Sequence, residues 1–85
     1  MVSGKVTIIN KLGLHARPAG MLVKACAKYT SKITITAPTG SADAKRLMGI
    51  MRLGAKAGQE LTITVEGPDE EKEAAELQAF FAENV

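Results

Sequence analysis

Hydrophobic and polar residues alternate in three short segments of the chain, KVTIIN (5–10), KITITA (32–37) and LTITVE (61–66). Alternation with a period of two, in segments rich in Val, Ile and Thr, is typical of β-strands with one buried face. The second segment is followed by the turn residues PTG (38–40), and SADA (41–44) has the length of a short return arm. The pattern therefore predicts three strands and a short fourth strand that forms a hairpin with the second.

Two further segments carry apolar residues at helical spacing. Residues 16–28 place an apolar stripe at positions 19, 22, 23, 26 and 27, which predicts an amphipathic helix. Residues 47–53 form a short, mostly apolar segment, and Gly54 suits the position just beyond a helix end. We therefore expect a two-turn helix there. Its apolar residues point in nearly every direction, so some of them must be exposed.

A third helix is predicted to follow Asp69, which suits the N-cap position before the acidic residues Glu70 and Glu71. The other glutamates up to Glu76 are expected on its solvent face. The predicted buried stripe consists of Ala74, Leu77, Phe80 and Phe81.

The predicted element order is β-α-β-β-α-β-α. Helices on one side of a small sheet give a two-layer α/β (α+β) sandwich, and the hairpin favours an antiparallel sheet. With 85 residues and no linker or repeat, we expect a single domain over residues 1–85.

Composition excludes several classes of function. The net charge of +2 and the scarcity of aromatic residues argue against nucleic-acid binding.

Cys26 is the sole cysteine and falls on the buried stripe of the first helix, so we expect a core residue, no disulfide and no metal site. There is no apolar run long enough for a membrane span and no signal-peptide pattern at the N-terminus, so we expect a cytoplasmic protein.

The stretch GLHARPAG (13–20) contains the sole histidine of the chain, His15, directly before the first helix. The first turn of a helix has free backbone N–H groups that favour an anion. Arg17 adds a planar, permanently charged group suited to phosphate, and Pro18 is tolerated where its missing N–H costs no helix bond. A neutral imidazole can attack phosphorus, so these residues favour phosphoryl transfer. Gly13 allows a sharp turn before the helix.

GLHARPAG resembles the active-site motif of the HPr family, the histidine-containing phosphocarriers of the bacterial phosphoenolpyruvate:sugar phosphotransferase system. AKRLMGIMRLGAKAGQELTI (44–63) resembles the second motif region of the family, and the resemblance covers essentially the whole chain. It implies an HPr-like open-faced β-sandwich, with a four-stranded antiparallel sheet covered on one face by three helices.

The resemblance also implies what each residue of the motif does. His15 would carry the phosphoryl group on Nδ1 as a phosphohistidine, Arg17 would stabilise it, and the Ala16 backbone N–H would face it. The phosphoryl group would come from enzyme I and pass to the IIA domains of sugar permeases, so the protein is a carrier and not an enzyme, without a cofactor or metal.

The resemblance places a partner-docking surface beside the histidine. Its predicted residues are Pro18, Gly20, Met21, Leu47, Met48 and Met51. An exposed methionine-rich patch suits adaptable binding, and we expect a monomer whose exposed apolar surface is reserved for transient partners. Many Gram-positive members of the family carry a regulatory serine at the start of this second helix, where the present chain has Arg46. We hypothesise that Arg46, with Arg17, Lys45 and Arg52, makes the docking face positive; an exposed Arg46 without a role is the alternative.

The sequence leaves a second function open. An HPr-like regulatory protein could be phosphorylated on His15 and signal to nitrogen-control or transcription partners instead of sugar permeases. The identity of the final acceptor separates these two functions.

Overall fold

The computed structural model describes residues 1–9, 11, 13 and 16–84, without the side chains of Ala16 and Asn84. These residues form four strands and three helices in the predicted order. The elements are β1 (Val2–Thr7), α1 (Ala16–Cys26), β2 (Lys32–Ala37), β3 (Gly40–Asp43), α2 (Leu47–Arg52), β4 (Glu60–Glu66) and α3 (Glu70–Asn84).

The sheet has the strand order β1-β4-β2-β3, and each pairing is antiparallel. Ile35 of β2 lies opposite Ile63 of β4, and Val6 of β1 lies opposite Leu61 of β4. The alternation recognised in the sequence is reproduced as alternating burial in β2 and β4, because the helices cover one face of the sheet. α3 packs on β1 and β4, whereas α1 packs against α2 and α2 reaches β3.

The prediction for the first strand was wrong at both ends. β1 begins at Val2 and ends at Thr7, whereas the sequence indicated 5–10. Ser3 and Gly4 give no apolar signal, yet they pair with Thr64 and Ile63 because β4 extends far enough to receive them. At the other end, Ile8 is still buried, but Ile9 is exposed beyond the paired region.

Helices α1 and α2 end earlier in the chain than predicted. α1 ends at Cys26 instead of residue 28, because the N–H groups of Lys28 and Tyr29 bond to carbonyls three residues earlier (3.4 and 3.0 Å) and tighten the chain into a turn. α2 ends at Arg52, and Gly54 follows with a φ of +58°, which confirms the predicted helix stop.

α3 begins after Asp69 as predicted, and the Asp69 carbonyl accepts the Glu73 N–H at 3.0 Å. Ala74, Leu77 and Phe81 are buried, which confirms the predicted stripe, and Phe80 is half-buried against it. The prediction that all the early glutamates face solvent was wrong for one of them. Glu73 is buried beside the stripe, and its Oε1 has no hydrogen-bond partner among the described residues.

Cys26 is fully buried in the core, as predicted. Burial raises the pKa of its thiol to about 12, and the charge of Lys45 opposes this rise only in part. Because the thiolate is the reactive form, this cysteine is chemically inert in the folded protein. None of the helices in the described part of the chain is long and apolar enough to cross a membrane.

Cys26 should therefore resist alkylation in the native state. With a pKa of about 12, roughly one thiol in ten thousand is ionised at pH 8, and the side chain is shielded as well. We expect iodoacetamide to label native protein at least about 100-fold more slowly than protein unfolded in urea, as followed by intact mass. Labelling of native protein at the rate of a free thiol would contradict the buried position.

Candidate functional site

The chain approaches α1 through a sterically restricted glycine. Gly13 has a φ of +72°, a conformation that L side chains rarely adopt. A Cβ at this position would overlap the carbonyl oxygen of Ala55 and lie 2.9 Å from Cα of Lys56. The segment before α1 therefore touches the backbone just beyond the end of α2, which agrees with the sharp turn expected at Gly13.

α1 begins at Ala16, directly after the motif histidine. His15, predicted to carry the phosphoryl group, lies outside the described residues. Ala16 and Arg17 occupy the first two positions of the helix, where backbone N–H groups lack intrahelical partners. The Arg17 side chain is exposed, and the described residues provide it with no ion pair. Its charge is therefore available to an anion at the start of α1.

Pro18 differs from the other residues predicted for docking. It lies in the first turn of α1 and is buried, so little of its ring is available to a partner. Its burial fits a role in beginning the helix, since proline is compatible with the first turn. Gly20 is partly buried, and a Cβ built on it would meet open space.

The other four docking candidates are exposed apolar side chains. Met21 lies on α1 with 40% of its surface exposed, and α2 carries Leu47, Met48 and Met51 at 41%, 64% and 39%. We call these four residues the Met/Leu patch. Ile50 faces the core instead, as does Leu53 directly after α2, which confirms that the apolar residues of this segment divide between core and surface.

The comparisons with known proteins agree with this arrangement. Residues 2–83 match the family model described as the PTS HPr component phosphorylation site. The phosphocarrier protein HPr of Treponema pallidum is 40% identical over 81 residues, covering 95% of this chain and 92% of the relative. This chain belongs to the HPr family.

Solved structures show the same fold in the HPr family. A Mycoplasma histidine-containing phosphocarrier protein superposes with a TM-score of 0.91 at 33% identity, covering 96% of this chain and 93% of that one. The HPr-like protein Crh of Bacillus subtilis is 35% identical over 85 residues and is covered completely, as is this chain. Crh has been solved as a domain-swapped dimer, and an HPr from Thermoanaerobacter tengcongensis has also been solved as a dimer.

Basic residues surround the Met/Leu patch of this HPr-family protein. Arg17, Met21 and Lys24 are exposed and follow one another along one face of α1. Arg46 is the N-cap residue of α2, makes no side-chain capping bond and is exposed, and Arg52 is exposed in the last turn of α2. An apolar centre with a charged rim is the usual composition of a transient protein interface.

Lys45, which the sequence groups with these basic residues, is exposed but also has a backbone partner. Its ammonium donates a hydrogen bond to the Tyr29 carbonyl oxygen at 2.7 Å, just beyond the C-terminal end of α1. That position favours a positive charge because the helix dipole is negative there. The hydrogen bond ties the Lys45 side chain to the end of α1, whereas Arg17, Arg46 and Arg52 have no partner of this kind among the described residues.

Charge is strongly segregated along the chain, which was not among the features predicted from the sequence. Residues 11–59, which include α1 and α2, carry nine basic side chains and one acidic side chain, whereas residues 60–85 carry eight acidic side chains and one basic one. The net charge of +2 conceals this separation. It could have been found by summing the charges over each segment, because α1 and α2 contain no acidic residue.

Replacing Gly13 should disturb the site more than replacing another glycine of positive φ. Gly13→Ala adds steric overlap with residues 55 and 56 to an unfavourable backbone conformation, so we expect the free energy of unfolding to fall by about 2–4 kcal/mol. Gly54→Ala is the matched control, since Gly54 has a φ of +58° but open space around it, and should cost about 1–2 kcal/mol.

Urea denaturation of the two variants and the wild type measures this difference. Equal losses for the two variants would show that contact with residues 55 and 56 does not restrict Gly13.

Proposed function

We propose that this protein is a cytoplasmic phosphocarrier that accepts a phosphoryl group from phospho-enzyme I on His15 and passes it to the IIA domains of sugar permeases. The observation that carries the proposal is the match of residues 2–83 to the HPr phosphorylation-site family, together with the GLHARPAG motif at the start of α1. The whole chain, residues 1–85, would act as one HPr domain.

The proposed transfer needs a nucleophile and groups that stabilise the negative charge of the phosphoryl group. The Nδ1 atom of His15 would form a bond to phosphorus while the bond between phosphorus and the donor atom of phospho-enzyme I breaks. The product carries negative charge beside the first N–H groups of α1, which favour an anion at Ala16 and Arg17. The Arg17 guanidinium can donate parallel hydrogen bonds to phosphoryl oxygens. Because the group leaves again to an acceptor, the protein acts as a carrier and not as an enzyme.

The Met/Leu patch would dock both the donor and the acceptor. Its apolar side chains would be buried against a partner, while Arg17, Arg46 and Arg52 would attract an acidic rim. Gly20, next to Met21, leaves open space through which a partner can approach. We expect a monomer that forms transient complexes, although two relatives have been solved as dimers.

Phosphorylation can be tested by intact mass after incubation with phosphoenolpyruvate, magnesium and enzyme I. We expect one added phosphoryl group that is labile in acid, because phosphohistidine is the product, and we expect none on His15→Ala. No added mass on wild-type protein with a native circular dichroism spectrum would refute the carrier function.

Arg46 would change the regulation of this protein. An arginine cannot accept the phosphate that a kinase places on the corresponding serine of many Gram-positive relatives. The negative charge of a phosphoserine at a helix start interacts favourably with the helix dipole. The positive charge of Arg46 faces the positive end of the α2 dipole, which is unfavourable. We propose that Arg46 instead accelerates the encounter with acidic partners.

Replacing Arg46 by serine should slow docking without unfolding the protein. The Arg46 side chain is exposed and makes no capping bond, whereas serine is a preferred N-cap residue without the unfavourable charge, so the free energy of unfolding should rise by about 0.5–1 kcal/mol. The association rate with enzyme I should fall about two- to threefold at low salt and converge with wild type at high salt. Stopped-flow measurements at several salt concentrations provide the readout, and unchanged rates would assign no role to the charge of Arg46.

The match to Crh, which is described as a catabolite repression HPr, favours a second candidate function. A regulatory HPr-like protein would be phosphorylated yet would not transfer the group to a sugar-permease IIA domain. Adding a IIA domain to the phosphorylated protein separates the two functions, since a carrier loses its phosphoryl group to the IIA domain.

A further inference from the structure

The sulfur-containing side chains of this protein differ sharply in solvent exposure. Cys26, the one thiol, is fully buried and held as the neutral thiol, so a peroxide cannot use it. All four methionines are exposed, from 39% of the surface of Met51 to 76% of that of Met1. The sulfur available to an oxidant is therefore thioether sulfur.

Three of these four methionines lie in the Met/Leu patch. Met48 and Met51 are three residues apart on α2, so their side chains lie on neighbouring positions of one helix face. Met21 is on α1, which packs against α2. Met1 lies elsewhere, because its amino group forms an ion pair with Glu70 at the start of α3 (2.6 Å).

We infer that Met21, Met48 and Met51 are sites of reversible oxidation by peroxides, and that their oxidation weakens docking of the protein to its phosphotransfer partners. In each step the O–O bond of the peroxide breaks and one oxygen bonds to the methionine sulfur. The thioether loses two electrons and becomes a sulfoxide, while hydrogen peroxide is reduced to water. A thiol-dependent sulfoxide reductase reverses the step, as two thiols become a disulfide and the oxygen leaves as water.

The effect on docking follows from the polarity of the product. A sulfoxide is polar and hydrates strongly, so burying it against a partner costs free energy that a thioether does not cost. The core is spared, because the buried side chains of this segment, Ile50 and Leu53, contain no sulfur. Oxidation would thus lower affinity while the fold persists. This inference rests on the proposed function, since it assigns regulation to the proposed docking surface.

The test compares wild type with the triple variant Met21→Leu, Met48→Leu and Met51→Leu. Leucine keeps the patch apolar and similar in volume but cannot be oxidised, and Met1 remains as an internal control in both proteins. Each protein is treated with hydrogen peroxide, its sulfoxides are located by peptide mass spectrometry, and the KM for phosphorylation by enzyme I is measured. Treatment with methionine sulfoxide reductases and a thiol reductant follows.

Oxidised wild type should show a KM raised about tenfold, which reductase treatment restores. The triple variant should gain oxygen at Met1 alone, and peroxide should leave its KM at the value measured for the same variant before treatment. An unchanged KM for wild type with all three patch methionines oxidised would overturn the inference, as would an equal rise for the triple variant. Failure of untreated, folded wild type to be phosphorylated would instead overturn the proposed function.

The single variant Met48→Leu provides a test of the inference even if the triple variant misfolds. Met48 is the most exposed residue of the patch, so its replacement should leave the circular dichroism spectrum and thermal unfolding unchanged. It should remove a measurable part of the rise in KM caused by peroxide. A rise as large as that of wild type would show that Met48 does not contribute.

Discussion

The arrangement of this protein depends on β4, because it is hydrogen-bonded to β1 along one edge and to β2 along the other. Its inward-facing residues Leu61, Ile63 and Val65 are almost completely buried, so the strand also supplies the centre of the core. In the strand order β1-β4-β2-β3, the connection from β1 to β2 passes β4, and the connection from β3 to β4 passes β2. α1 lies within the first connection and α2 within the second, and this is why two helices far apart in sequence pack against each other.

The proposed docking surface depends on this packing, because α2 could not form it alone. A helix of six residues is unstable in isolation. Burial of Ile50 anchors one side of α2, and the Thr39 hydroxyl donates a 2.6 Å hydrogen bond to the Leu53 carbonyl oxygen at its end. The contact of Gly13 with Ala55 then fixes the approach to α1 against the chain beyond α2. The start of α1 and the apolar patch are thus held together by backbone contacts as well as by the core.

Much of the fold could be predicted because burial and sequence pattern coincide. The alternation in β2 predicted both its limits and its buried face, and Gly54 marked the end of α2. The start of β1 could not be predicted from Ser3 and Gly4, since pairing with β4 and not their own propensity makes them a strand. Glu73 was misplaced for a similar reason, and the carbonyl partner of Lys45 was not predicted. A charged residue reveals its burial or its carbonyl partner only when the neighbouring elements are in place.

The candidate site shows what residue identity contributes beyond pattern. GLHARPAG identified the family because its residues are informative individually, whereas the patch residues follow from exposure, which a two-turn helix does not reveal by periodicity. Leucine would have provided a similar apolar area at Met21, Met48 and Met51, and Leu47 already contributes a leucine to the same patch. Methionine is unbranched and polarizable, so it adapts to surfaces of different shape. The proposed carrier would have to meet both a donor and an acceptor with one surface, and this requirement favours a flexible thioether despite its sensitivity to oxidants.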